Sequence, residues 1–274
     1  MAALSAAPAA AREAPFRTNL PLRAAWLALA AYLVYAMSLL EITWPRFMIG
    51  LDNGAKFIGR MFPPNIAQPD TLLKGLTESL EIAVLASFLG IMVSLPIGLL
   101  ASRNLMPAWA TWPARLVIVL CRSFHPVIVA ILFVKAVGFG ALAGILALSV
   151  ASVGFIGKLF AEAIEEISLK QVEAVRATGA PIFNVITYGV LPQVFSRFIG
   201  FVTYQLDSNL RNSTMVGIVG AGGIGGTLFA AFQRFDYDFV CAILLSIIGM
   251  IMAGEVIAGW VRGVFLDRGK VDEE

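Results

Sequence analysis

The residues from Gly220 to Gly225 read Gly-Ala-Gly-Gly-Ile-Gly, letter for letter the G-x-G-x-x-G pattern whose backbone amides can cradle a dinucleotide pyrophosphate. That chemistry needs a strand before the glycines and a helix after them inside a βαβ unit. Here the preceding stretch is an apolar span, so the glycines read as its tightly packed end near the outer face, where small residues let helix backbones approach. His125, the only histidine, stands with Arg122 in "CRSFHPVIVA". Acid–base or nucleophilic catalysis would need an acid or a nucleophile beside it, and none is near. The two are expected to form a polar helix-packing pair, with Pro126 adding a local kink and Arg122 able to extend toward the aqueous interface. Cys121 and Cys241 each lie in an apolar run and read as small buried hydrophobes. No catalytic, cofactor-binding or metal-ligating set emerges.

Asp207 and Arg211 are a different case, four residues apart and therefore on one helical face, with Asn209 between them in sequence. A charge at a membrane helix centre costs roughly 2.5–3.5 kcal/mol on insertion scales, so such groups face a bundle interior or a water-filled path. Two readings stand. The ion pair can satisfy itself and lock packing, or Arg211 can offer favourable potential to an anion crossing a pore, a pull that pairing with Asp207 would weaken. Arg122 and His125 join Asp207, Asn209 and Arg211 as candidates for the path or the bundle interior.

The frame that must position these groups follows from composition. Of 274 residues, 59% are hydrophobic and 14% charged, whereas ordinary soluble domains are about 45–50% apolar and about 25% charged. The chain reads as an all-α, polytopic membrane protein, and a net charge of +2 is too small and scattered for a nucleic-acid face. A membrane helix needs about 17–25 mostly apolar residues. Six segments qualify or nearly so: 24–40, 76–100, 116–137, 142–160, 198–219 and 239–261.

By the positive-inside rule, Arg103, Arg115, Lys158, Lys170, Arg176 and Arg197 mark the cytoplasmic side, while Arg46, Lys56, Arg60, Lys74 and Arg234 on the other side are diluted by acids. Both termini are then expected in the cytoplasm. The domain reading is a disordered arm over 1–22, one membrane domain over 23–265 and a tail over 266–274, with 161–197 a cytoplasmic loop between spans four and five. In the first outer loop Lys56 and Arg60 share one face of a short amphipathic helix whose Phe57, Ile58 and Met61 press toward the bilayer. Its cations would rest among lipid headgroups or meet an acidic docking partner.

Within the cytoplasmic loop, Ser168 followed by Gln171 has the spacing of a capping box, which starts a helix at Leu169 and carries it to Thr178. Gly179 suits the left-handed position that ends it. Pro181 then opens a second short helix and Pro192 closes it. A helix–bend–helix hook results, bearing Glu173 and Arg176, and an exposed hook of defined shape is a docking device.

"EAVRATGAPIFNVITYGVLP" resembles the EAA loop of binding-protein-dependent ABC importer permeases. Glu173, Ala174, Gly179, Leu191 and Pro192 match its pattern, while Val175 replaces its second Ala and Gly189 its Ile, which should loosen the second helix. "GKLFAEAIEEI" and "YQLDSNLRNSTMVGIVGAGGIG" extend the likeness toward the phosphonate/phosphite branch, and about three quarters of the chain is covered. The resemblance implies a MetI-like, type I permease in the bacterial inner membrane, working as a homodimer with two cytoplasmic ATP-binding subunits and an external solute-binding protein. It also implies that the matched loop residues couple the permease to the ATPase. No G-x-x-x-x-G-K-[ST] phosphate loop occurs in the sequence, so ATP and Mg would be used by the partner and the chain itself would hold no cofactor. Other solutes, such as methionine or another anion, a secondary transporter, and an intramembrane enzyme are the rival readings.

Overall fold

The structure, a computed structural model, describes residues 20–40 and 43–266. The expected arm and tail lie outside the described residues apart from Leu20–Leu22, which open a helix, and Leu266, which ends one. Among the described residues every regular element is helical: α1 Leu20–Leu39, α2 Trp44–Met61, α3 Pro69–Ala101, α4 Ala108–Ser123, α5 Pro126–Val137, α6 Ala141–Glu165, α7 Leu169–Ala177, α8 Ile182–Asn184, a π-helical segment Val185–Val190, α9 Leu191–Ile218, α10 Ile224–Gln233 and α11 Tyr237–Leu266. The chain divides into two compact units, Met1–Ile58 and Gly59–Glu274.

In the first unit, α1 is apolar beyond Arg23 in its first turn apart from Ser38, and none of its residues is buried, as suits a helix whose side chains face lipid. In α2, Asp52 accepts from Lys56 at 2.5 Å. One of the two cations expected to act there is therefore already neutralised. Met61, expected to press toward the bilayer, instead belongs to the second unit and packs on the cluster of Ile224, Leu228, Phe239 and Ile243.

Among the described residues five helices are long and apolar enough to cross a membrane, and a sixth span results if the bent pair α4–α5 counts as one. That pair corrects the expectation of a single span over 116–137. Its axis turns by 92° at the break. The cause is local: a residue before proline is pushed out of the helical region, and His125, before Pro126, sits at φ −67°, ψ 140°. The fifth span is also longer than 198–219, because Ile182–Ile218 runs as one helical rod through its π-helical turn. Pro192 therefore does not close a second hook helix. It lies in the first turn of α9, directly after the π-helical segment.

At the centre α3 lies on α6. Small residues recur along α3 at Ala83, Ser87, Gly90, Ser94 and Gly98, the pattern that lets membrane helices pack closely. At Gly90 a Cβ would stand 2.3 Å from the Ser152 Cβ on α6. Ile82, Val129, Ala147, Leu148 and Val216 build the core where α3, α5, α6 and α9 meet. The Gly220–Gly225 stretch is a helix-to-helix turn, with Ser79 Oγ accepting from the Ile224 N–H at 2.8 Å to start α10.

Candidate functional site

The loop between α6 and α9 is built as a clamped hook. α7 begins at Leu169, but the reciprocal Ser168–Gln171 capping box is not made: Ser168 makes no side-chain cap. Its backbone N–H donates instead to Gln193 Oε1 at 2.9 Å, while Gln193 Nε2 donates to the Gly189 carbonyl at 2.6 Å. One glutamine, one turn into α9, thus ties the start of the hook to the π-helical segment. Gly179 ends α7 with φ +75°, and its N–H donates to the Arg176 carbonyl at 2.9 Å.

The two arms then close on each other. Gly189 is buried, and a Cβ there would sit 3.3 Å from the Val172 Cα. The glycine that departs from the family pattern is thus the contact point between the arms. Val172, Val185, Val190 and Val194 form one core with Phe160, Ala163 and Ile164 of α6, which seats the hook on the end of the bundle. Glu173, Ala174 and Arg176 are exposed on α7, as are Gly179, Leu191 and Pro192. Ile182, Phe183 and Tyr188 stand 54%, 73% and 70% exposed. Charged and apolar side chains therefore stand side by side on the exposed face of the hook.

Ion pairs fix the flanks. Arg115 of α4 reaches Glu165 at 2.5 Å and donates from Nε to the Ala101 carbonyl at 2.9 Å. The Arg103 backbone N–H donates to the same Glu165 at 2.8 Å, and Arg197 of α9 pairs with Glu166 at 2.5 Å. The sequence marks Arg115 and Arg197 only as orientation charges and singles out none of Gln193, Glu165 or Glu166. The signal was the charged pair Glu165–Glu166 directly after an apolar span, acids that need cations from neighbouring elements.

The remaining candidates separate. Asp207 and Arg211 do pair on one face of α9, with side chains 14% and 46% exposed, and Asp207 Oδ1 is buried without a hydrogen-bond partner among the described residues. The pair is therefore not self-satisfied. Asn209 lies on the other side, since two residues rotate the helix by about 200°. It is fully buried, donating to Ser87 Oγ at 2.9 Å and Ser152 Oγ at 2.8 Å and accepting from Gln205 at 3.0 Å. This polar knot of α3, α6 and α9 has its hydrogen bonds met inside, so it holds helices together rather than lining a path. The expected packing pair of Arg122 and His125 is not formed. Both are exposed, and His125 Nδ1 accepts from the Val127 N–H at 3.3 Å, capping α5.

Residues 94–269 match the family described as binding-protein-dependent transport system inner membrane component. The phosphate-import permease protein PhnE of Mycolicibacterium smegmatis is 38% identical over 85% of this chain, which spans 43% of that relative's length. Two proteins of Stutzerimonas stutzeri are also similar. The putative phosphite transport system permease protein HtxC is 34% identical, covering 85% of this chain and 86% of its own. The phosphite transport system permease protein PtxC is 38% identical, covering 79% of each. Among solved structures, the inward-facing MetNI methionine ABC transporter is similar in two crystal forms, with TM-scores of 0.58 and 0.59, identities of 24% and 25%, and coverage of 71% of this chain and 99% of the other.

Proposed function

The chain belongs to the family of binding-protein-dependent transport system inner membrane components, and from that membership we propose that it is the permease of an ATP-driven importer for phosphite, a phosphonate or a related small phosphorus oxyanion. One observation carries the substrate class. Three relatives named for phosphate or phosphite transport align over 79–85% of this chain at 34–38% identity and a fourth over 49% at 47%, whereas two named for D-methionine transport align over 41–64% at 27–29%.

In this reading both termini and the hook face the cytoplasm, two copies of the chain form the pathway, and two ATP-binding subunits grip Glu173, Ala174 and the exposed apolar side chains around Phe183. An external solute-binding protein delivers the substrate. Nucleotide and Mg belong to the ATP-binding subunits, because the chain has no phosphate loop. Closure of those subunits moves the hook. The Gln193 clamp and the Val172–Gly189 contact pass that motion to the rod of 37 residues from Ile182 to Ile218, about 55 Å long at 1.5 Å per residue. The path then alternates between its two sides, and the permease makes and breaks no covalent bond.

The test is ATP-dependent uptake by the reconstituted complex. Labelled phosphite or methylphosphonate should accumulate, and unlabelled methionine should not compete. Uptake of methionine with phosphorus oxyanions excluded would reject the substrate class.

Asp207 and Arg211 ride on that rod, and Arg211, given by both copies, is assigned to the anion's path. Asp207→Asn and Arg211→Gln should each lower the unfolding midpoint by stranding one charge. The double variant should regain stability yet fail to transport. Recovery of uptake in the double variant would return both residues to a purely structural role.

A further inference from the structure

At the hook-bearing end of the second unit, two adjoining clefts of about 590 and 580 Å³ share Arg103, Arg115 and Val119 in their walls. Their characters differ. The first is faced by Met106, Trp112 and Leu116, the second by Arg122, Lys158 and Glu162. Helix α4 produces both, because Trp112, Leu116 and Val119 recur at helical spacing along one stripe while Arg115 and Arg122 follow the neighbouring one.

The charge there is not balanced within the chain. Arg115 is held by Glu165, and Lys158 leans on Glu162 at 3.3 Å. Arg103 and Arg122 are exposed, and among the described residues neither guanidinium has a carboxylate partner. Trp109 and Trp112 stand 79% and 75% exposed beside the clefts, and tryptophan collects at membrane–water interfaces.

We propose that this double cleft binds an anionic phospholipid, its headgroup phosphate on Arg103, Arg122 and Lys158 and an acyl chain along Trp112, Leu116 and Val119. A phosphate group is the shared chemistry of a lipid and a free oxyanion. The apolar half decides for the lipid, because a free oxyanion has no use for it, whereas basic pockets between helices at one membrane face suit anionic headgroups. The neighbouring Arg115–Glu165 tie joins this cleft to the flank of the hook, so a bound lipid would stiffen the base on which the hook sits. The assignment does not depend on which solute is transported.

The experiment is native mass spectrometry of the full-length protein with phosphatidylglycerol or phosphatidylcholine, with and without excess inorganic phosphate. Wild type should retain phosphatidylglycerol in preference. Arg103→Gln/Arg122→Gln should weaken that retention roughly thirtyfold, the factor expected for two interfacial cations, and leave phosphatidylcholine unaffected. Lys56→Gln/Arg60→Gln, an equal change in net charge on α2, should leave both unaffected. Equal retention of the two lipids, or unchanged retention by the Arg103/Arg122 variant, would refute the site. Displacement of the lipid by inorganic phosphate would make it a free-oxyanion site instead. Lipid retained by monomers and excluded from the self-associated form would show that a second copy of the chain covers the cleft.

Discussion

Replacing Gly179 with valine is expected to leave the protein in the membrane but cut ATP-coupled uptake by about tenfold or more, while Gly179→Asn keeps most of it. The reason is conformational. Gly179 holds φ +75°, and a Cβ there would meet nothing within 4 Å, so a side chain has room and only the backbone resists. An L-residue in that region costs roughly 1–2 kcal/mol, and a β-branched one more, whereas asparagine tolerates it through its short polar side chain. A factor of ten corresponds to about 1.4 kcal/mol, so valine should depopulate the bend that sets the direction of α7 against the π-helical arm. Uptake, ATPase rate and co-purification with the ATP-binding subunit, measured on one preparation, separate the outcomes. Full uptake with normal association in the valine variant would sink the account of the hook. Asparagine as inactive as valine would show that the partner packs against Gly179 and that space, not backbone angle, is what matters.

The hook was legible because its punctuation is chemical. A polar residue before Leu169, glycine after Thr178 and proline at 181 each mark a backbone conformation, and the helix starts and stops where they stand. What holds the hook was not legible. Gln193 reaches Ser168 across 25 positions, and no local pattern distinguishes a glutamine that caps a distant helix from one that faces water. The role of Gly189 escaped for a related reason: its lack of a side chain reads as looseness in one dimension and as a contact with Val172 in three.

The spans show the limits of hydropathy. It counts apolar residues and is blind to direction, so 116–137 reads as one rod although α4 and α5 meet at 92°. The pre-proline position of His125 was the available signal, and it marks a complete break where a kink was expected. For Asn209 the sequence left the path and the bundle interior both open, although helix geometry already sets it apart from its two neighbours. Neighbours two apart in sequence point to opposite sides, so Asp207 and Arg211 could share a face only if Asn209 left it. Its partners Ser87 and Ser152 lie 122 and 57 positions away, beyond what any local pattern reveals.

The glycines that mimic a nucleotide-binding fingerprint supply the largest expected effect on stability. Gly225 opens α10 directly against the end of α9, where a Cβ would fall 1.9 Å from the Thr214 carbonyl oxygen and 2.9 Å from the Ile218 nitrogen. Both are backbone atoms, so no rotamer can yield, and one helix must move from the other. Gly217 repeats the constraint from the α9 side, with the Gly222 carbonyl oxygen 2.5 Å from its Cβ position. Overpacking costs about 1–3 kcal/mol where side chains can adjust, and here they cannot. Gly225→Ala should therefore lower the unfolding midpoint of the purified protein by more than about 5 °C and reduce its monodisperse fraction. The adjacent Gly226 is the control, since its Cβ would find only the Gly217 carbonyl oxygen, at 3.5 Å. Gly226→Ala should be neutral or gain up to about 1 kcal/mol from helix propensity. A shared outcome for the two variants, whether both tolerated or both unfolded, would mean that close backbone contact is not what seats α10. The Ser79 cap on Ile224 would then be the element to remove next, because it alone would still fix where α10 begins.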